Sequence, residues 1–404
     1  MPEAVIVATA RSPIGRAGKG SLVQLRPDDL TAQMVKAALA KVPELDPTQI
    51  DDLILGCGQP AAEAGHNLAR VVAVLAGMDH LPGVTVNRYC SSSLQTTRMA
   101  FHAIKAGEGE VFLSAGVETV SRYTNGMADT PGTYNPVFDQ AQARTADFAA
   151  GGQTWADPRE SGLLPDIYMA MGQTAENVAQ LKGVSRADQD AFGVRSQNLA
   201  EAAIASGFWA TDITPATLPD GTVISKDDGP RAGVTLEGVS ALKPVFRPDG
   251  TVTAGNCCPL NDGAAAVVIM SDTKAKQLGL TSLARIVSTG LSGLSPEIMG
   301  LGPVEASRRA LAAASLTIDD IDLVEINEAF AAQVIPSARE LGIPEDKLNV
   351  NGGAIAVGHP FGMTGARITS TLINSLTWHD KQFGLETMCV GGGQGMAMVL
   401  ERLS

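Results

Sequence analysis

A chain of 404 residues with 43 Asp+Glu against 30 Lys+Arg has a formal net charge of −13, with 18% charged and 4% aromatic residues. That balance disfavours nucleic acid or an anionic membrane surface as the main partner, but a small anionic ligand held by a local cluster of cations stays possible. No apolar run approaches the ~20 residues of a membrane span and no signal-like segment opens the chain, so secretion and membrane insertion are not expected.

The first 121 residues alternate short apolar strands with helices. Strands are predicted at 4–8, 53–55, 84–86 and 111–113, and helices at about 28–39, 68–76 and after Cys90. This alternation indicates an α/β layered domain with a mainly parallel sheet. From about Arg122 to Val252 the rhythm breaks into Pro- and Gly-punctuated polar sequence with helical periodicity near 174–180 and 188–204, which predicts an inserted loop domain. The apolar run 264–270 then reads as one buried strand. Beyond it the first pattern returns. Asp319-Asp320-Ile321-Asp322-Leu323-Val324 resembles Ile50-Asp51-Asp52-Leu53-Ile54, Leu348-Asn349-Val350-Asn351 resembles Val84-Thr85-Val86-Asn87, and Thr387-Met388-Cys389-Val390-Gly391 resembles the stretch from Val111 to Gly116. Two halves of one topology produce such matches. The predicted units are residues 1–121 with 252–280, the insertion 122–251, and 281–404. The five cysteines are an odd number thinly spread, which argues against a disulfide framework and for a reducing compartment.

Four segments carry chemistry. Cys90 follows an apolar strand and opens a helix bearing Leu94, Phe101 and Ile104. Amide N–H groups and the dipole at a helix N-terminus favour thiolate, the nucleophilic form. A buried structural cysteine is the alternative from this segment alone. His359 stands in a glycine-rich stretch at the place in the second half that Cys90 occupies in the first, so related halves bring the two loops together. Cys389 precedes Val390-Gly391-Gly392-Gly393-Gln394-Gly395, bare backbone able to present N–H groups to an oxyanion. That run lacks the ending of a nucleotide-binding P-loop. Glu325-Ile326-Asn327-Glu328 ends a strand with an amide and a carboxylate fit to hold water or orient a histidine.

Together these segments resemble the thiolase family. The resemblance rests on Asn87-Arg88-Tyr89-Cys90-Ser91-Ser92-Ser93, Asn327-Glu328-Ala329-Phe330, Gly358-His359-Pro360 with Thr364-Gly365-Ala366-Arg367, and Cys389-Val390-Gly391-Gly392-Gly393, in that order. It implies a thiolase-like fold of two pseudo-symmetric α-β-α-β-α halves and degradative thiolysis of a 3-ketoacyl-CoA, of the fatty-acid β-oxidation type. In that scheme Cys90 takes the acyl group, His359 accepts its proton, and Cys389 exchanges a proton with acetyl-CoA. Asn327 holds a water at the enolate oxygen, and the N–H groups of Cys90 and Gly391 form an oxyanion hole. The same resemblance places Arg231 near the nucleotide end of CoA, Cys258 where a CoA-contacting serine is usual, and Met299, Ala329 and Phe330 along the pantetheine path. CoA thioesters enter as substrates, with no permanent cofactor or metal, in a cytoplasmic homodimer or homotetramer.

Three positions depart from the family pattern. Ser93 replaces a common glycine and is expected to narrow or polarise the acyl pocket. Ala170 replaces a histidine of short-chain members, which favours a degradative enzyme over formation of acetoacetyl-CoA. Cys258, next to Cys257, reads as a small packing residue. A cysteine hydrolase, which has no use for Cys389, and a non-catalytic acyl-CoA-binding protein are the readings from other classes.

Overall fold

The structure is a computed structural model that describes residues 2–404 except 126 and 153, and the backbone alone at 124 and 125. The first part of the chain forms β1 (Ala4–Arg11), β2 (Gly15–Arg16), α1 (Pro27–Leu39), β3 (Asp52–Cys57), α2 (Leu68–Leu75), β4 (Gly83–Val86), α3 (Ser92–Ala106) and β5 (Val111–Thr119). The insertion contributes α4 (Asp139–Ala149), α5 (Met171–Lys182), α6 (Arg186–Ser206), α7 (Phe208–Asp212), the hairpin β6 (Ala216–Thr217) with β7 (Val223–Ile224), and α8 (Leu236–Ser240). Then follow β8 (Asn261–Ser271), α9 (Asp272–Leu278), β9 (Ala284–Gly293), α10 (Gly302–Ala314), β10 (Leu323–Ile326), α11 (Ala331–Leu341), α12 (Ala354–Val357), α13 (Thr364–Trp378), β11 (Phe383–Val390) and β12 (Gln394–Arg402).

The main strands run in the order β10-β11-β12-β9-β1-β8-β5-β3-β4, and within the sheet the two halves meet where Val5 and Ile6 of β1 pair with Arg285 and Ala284 of β9. Outward from that joint, β1, β8, β5 and β3 are matched by β9, β12, β11 and β10. Each set makes two antiparallel pairings and then a parallel one. The sequence repeat is therefore a repeat of topology. One expected element is reduced: the counterpart of β4 is a single parallel bridge between Val324 and Leu348. Asn349 leaves the strand region at φ +45°, and its side chain takes over the ladder's work. Its Oδ1 accepts from the Ile326 N–H and its Nδ2 donates to the Ile326 carbonyl, each at 2.9 Å.

Burial explains the layering. β8 is buried along its whole length because alternate residues serve two cores. Ala264, Ala266, Val268 and Met270 pack with α1 and α2, while Ala265, Val267 and Ile269 face a central cluster built from α3 and α13. β12 divides the same way, Met396, Met398 and Leu400 facing the centre and Ala397 and Val399 facing α10 and α11. Strands covered on both faces read as continuous apolar runs, as this one does. The result is α-β-α-β-α.

In the central layer α3 and α13 touch near their N-termini. A Cβ on Gly365 would overlap the Leu94 backbone nitrogen, so only glycine permits this approach. Ser93, expected beside the acyl pocket, is instead fully buried at this crossing. Its Oγ accepts from the Ala366 N–H at 2.9 Å, satisfying one of the unpaired donors in the first turn of α13. The insertion is anchored to the sheet by charge and by apolar contact. The buried Arg11 Nε donates to Asp212 at 2.7 Å and its Nη1 to Asp227 at 2.5 Å, while Phe208 and Trp209 join the central cluster.

Candidate active site

Between β4 and α3 the chain turns through a single short helical turn, Tyr89–Ser91, with Tyr89 in the left-handed region at φ +43°. A non-glycine residue there costs roughly 1–3 kcal/mol and persists only where surrounding structure holds it. It places Cys90 just before α3, 8% exposed. The expectation of a resting thiolate is overturned. Burial pushes the Cys90 thiol up to about 11, outweighing the opposing pull of the Gly391 and Cys90 N–H groups. The helix terminus lowers the cost of a thiolate without making it the resting form.

His359 precedes α13 as Cys90 precedes α3. Its N–H donates to Asn261 Oδ1 at 2.9 Å, and the ring is 1% exposed. The tautomer follows from the hydrogen bonds. The Thr364 hydroxyl donates to the Pro360 carbonyl at 2.7 Å, so it accepts from His359 Nδ1–H, also at 2.7 Å. Nε2 then carries the lone pair, and Asn327 Nδ2 donates to it at 3.3 Å. Burial, with a smaller contribution from Arg367, lowers the imidazole to about 3, so it rests neutral.

Asn327 follows the end of β10, and its N–H donates to the Thr387 carbonyl at 3.0 Å. Its buried Oδ1 has no hydrogen-bond partner among the described residues. The neighbouring Glu328 does not orient the histidine. Its carboxylate accepts from Ser196 Oγ at 2.6 Å, Asn349 Nδ2 at 2.8 Å and the Ile355 N–H at 3.1 Å, tying β10 to α6 and α12.

Cys389 lies fully buried near the end of β11, opposite Gly395 of β12, and residues 391–393 turn the chain between the two strands. Gly392 and Gly393 have φ of +77° and +79°, as a tight hairpin requires. That turn aims the Gly391 N–H at the Cys90 sulfur. Burial, and then the charge Cys90 would carry, hold the Cys389 thiol well above its ordinary value. Both thiols therefore rest protonated.

Glu118, the one carboxylate in the buried strand β5, was not singled out from the sequence. It is 1% exposed and accepts from the N–H groups of Gly58 (2.8 Å), Gln59 (3.2 Å) and Gly362 (2.9 Å) and from the Tyr123 hydroxyl (2.8 Å). It pins the loop after β3 to the loop after His359. A carboxylate in a fully buried strand was the available signal.

Two clefts flank these groups. One, of about 330 Å³, carries the exposed Arg231 and the half-buried Arg16 on its walls, together with Gly229 and Ile355. Ile355 also packs in the apolar cluster that holds Met299, Ala329, Phe330 and Cys389, with Cys257 and Cys258 at its margin. The Cys258 N–H donates to the Ala329 carbonyl at 3.0 Å. Of the five residues expected to contact CoA, Arg231 lines this first cleft, while Met299, Ala329 and Phe330 are buried in the cluster and Cys258 packs against it. The second cleft, of about 210 Å³, opens over Cys90 and Gly391 and is lined by Ala170, Asp129 and three tyrosines. Nothing in the spacing of those tyrosines announced their convergence.

The comparisons with known proteins agree over the full length. The thiolase N-terminal domain family matches residues 4–273 and the thiolase C-terminal domain family matches residues 280–402. A 3-ketoacyl-CoA thiolase of Bacillus subtilis (strain 168) is 44% identical, over 99% of this chain and all of the relative. A beta-ketoadipyl-CoA thiolase of Acinetobacter baylyi is 41% identical, with both chains fully covered. The crystal structure of the dimeric peroxisomal thiolase of Saccharomyces cerevisiae superposes with a TM-score of 0.88 at 34% identity, covering 100% of this chain and 98% of that one. The chain belongs to the thiolase family of acyltransferases.

Proposed function

We propose that the protein cleaves 3-ketoacyl-CoA with free CoA to acetyl-CoA and a shortened acyl-CoA through an acyl-Cys90 intermediate. The observation that carries this reading is the pairing of two protonated thiols, close enough for the charge of one to shift the other, with a neutral imidazole whose Nδ1–H is held by Thr364, so that Nε2, faced by Asn327 Nδ2, is the ring's acceptor. Cys90 attacks the C3 carbonyl as its proton passes to His359 Nε2. With thiol and imidazole both resting neutral, transfer accompanies attack instead of preceding it. The N–H groups of Cys90 and Gly391 stabilise the resulting oxyanion.

The C2–C3 bond then breaks, its electron pair forming the enolate of acetyl-CoA. The enolate oxygen is held by His359 Nε2–H and by a water on Asn327, whose unpaired Oδ1 supplies an acceptor. Cys389 protonates C2. CoA enters, gives its thiol proton to Cys389 and attacks the acyl-Cys90 thioester, and Cys90 leaves as His359 returns its proton. The sequence is ping-pong. Arg231 and Arg16 suit the phosphates of CoA, and Cys258, Met299, Ala329 and Phe330 its pantetheine arm.

Ala170 lines the cleft over Cys90, where a small side chain leaves room for a chain longer than that of acetoacetyl-CoA. Thiolysis rates across chain lengths test the degradative reading, and a strict preference for acetoacetyl-CoA overturns it. Mass spectrometry after exposure to acetyl-CoA is expected to show one acetyl group on Cys90, and its absence counts against any acyl-transfer role. A homodimer or homotetramer accords with the outer edge of β4, which has no strand partner beyond it among the described residues and leaves Val84 37% exposed. Light scattering measures it. No helix among the described residues is long and apolar enough to cross a membrane, and a cytoplasmic location is proposed with the function.

A further inference from the structure

The chain has four tyrosines, and all four gather at the active site. Tyr123 bonds Glu118, while Tyr89, Tyr134 and Tyr168 line the cleft over Cys90. Tyr134 and Tyr168 stack face to face, with centroids 4.0 Å apart and planes 4° from parallel, and Phe138 braces Tyr168 edge-on at 5.5 Å. The Tyr168 hydroxyl accepts from the Asn135 N–H at 3.1 Å, which fixes the ring further. Beside this wall lies Asp129. Its carboxylate accepts from Gln59 Nε2 at 2.8 Å, its N–H donates to Gln59 Oε1 at 2.9 Å, and the phenol of Tyr89 rests against it. No Lys, Arg or His is among the described residues that line the cleft.

Resting on the thiolase reading above, we propose that this cleft is the acyl pocket and that it selects neutral acyl chains, foremost those ending in an aromatic ring, and rejects chains ending in a carboxylate. A rigid aromatic wall offers faces and edges on which a ring packs favourably. A cavity of ~150 Å³ already admits benzene, so about 210 Å³ holds a ring with a short methylene tether. A terminal carboxylate would meet Asp129 with no cation to compensate it, and like charges facing each other in a partly desolvated site are strongly excluded.

The test is thiolysis by the purified full chain of acetoacetyl-CoA, 3-oxohexanoyl-CoA, 3-oxo-5-phenylpentanoyl-CoA and 3-oxoadipyl-CoA. The phenyl substrate is expected to equal or exceed 3-oxohexanoyl-CoA in kcat/KM, and 3-oxoadipyl-CoA to fall below 3-oxohexanoyl-CoA by ~100-fold. Asp129→Asn is expected to raise the ratio of 3-oxoadipyl to 3-oxohexanoyl turnover by ~10-fold, and Asp129→Lys further. Because that ratio is taken within one preparation, partial misfolding cancels. Equal wild-type rates for those two substrates overturn the proposal, as does a ratio that neither variant moves. Turnover of acetoacetyl-CoA without discrimination removes this inference alone, whereas no turnover of any substrate removes the thiolase reading with it.

Discussion

The loop before α3 and the loop before α13 are the same connection in two copies of one topology, and they carry opposite chemistry. The first presents an acid, the Cys90 thiol, and the second a base, the His359 imidazole. Burial acts on both in one sense, against charge. It therefore moves their proton affinities in opposite directions, up to about 11 for Cys90 and down to about 3 for His359. The comparison shows how a symmetric scaffold holds a reactive pair at rest. Charge appears only when a substrate carbonyl arrives to accept the sulfur and oriented N–H groups receive the oxyanion.

The sharpest way to break this picture is to remove the third reactant. Cys389→Ala is expected to lower thiolysis by at least ~1,000-fold, since it removes the group that the proposed mechanism uses to protonate the enolate carbon. Acetylation of Cys90 by acetyl-CoA, read by mass spectrometry, should persist in that variant. A thiolysis rate that stays near wild type would show that Cys389 is not the group that protonates the enolate. Second in size is the seam between the halves. Gly365→Ala places a Cβ against the Leu94 backbone and is expected to cost ~1–3 kcal/mol in urea unfolding. No loss of stability would mean that α3 and α13 have slack there.

A smaller effect is expected from Thr364→Val, which leaves His359 Nδ1–H without its acceptor and weakens control of the tautomer. Thiolysis should fall by ~10-fold, with kcat more affected than KM. The smallest expected effect is a flat response to acid. An imidazole held at about 3 stays unprotonated from pH 7 to pH 5, so kcat/KM should show no inflection near the ordinary histidine value of ~6.5. Stability behaves otherwise. The unfolded imidazole takes up a proton below ~6.5 that the folded one refuses, so this contribution is intact above that pH. It is lost as pH falls from ~6.5 towards 3, at ~1.4 kcal/mol per pH unit. His359→Asn should flatten that part of the slope, measured by urea unfolding at pH 6.5 and pH 5.

Much of the fold was legible because apolar runs of strand length alternate with helical periodicity, and because the second half repeats the first. The mainly parallel sheet expected from that alternation is corrected, since β8, β9 and β12 enter antiparallel to their neighbours. Only β10–β11, β3–β4 and β3–β5 pair in parallel among the described strands of the main sheet. The stretch 348–351 misled for a definite reason. It looks like the β4 segment, yet the side chain of Asn349 makes the bonds to Ile326 that a strand backbone would make. Ser93 misled in another way. Cys90 stands in the turn before α3, whereas Ser93 is already inside the helix, where it is buried against α13. The expected thiolate failed because a helix end is a local feature, whereas the cost of burying charge depends on every group packed around the sulfur.

The sequence by itself determined the layered class, the internal repeat, the order of Cys90, Asn327, His359 and Cys389, and the family whose motifs they match. All of these are written in residues that are neighbours in the chain. Only the tertiary structure decided that both thiols and the imidazole rest neutral, that Glu118 ties two loops together, and that tyrosines from distant segments face Asp129 over the nucleophile. Proton affinity and pocket chemistry are set by atoms brought together from across the chain, and no local pattern encodes that sum.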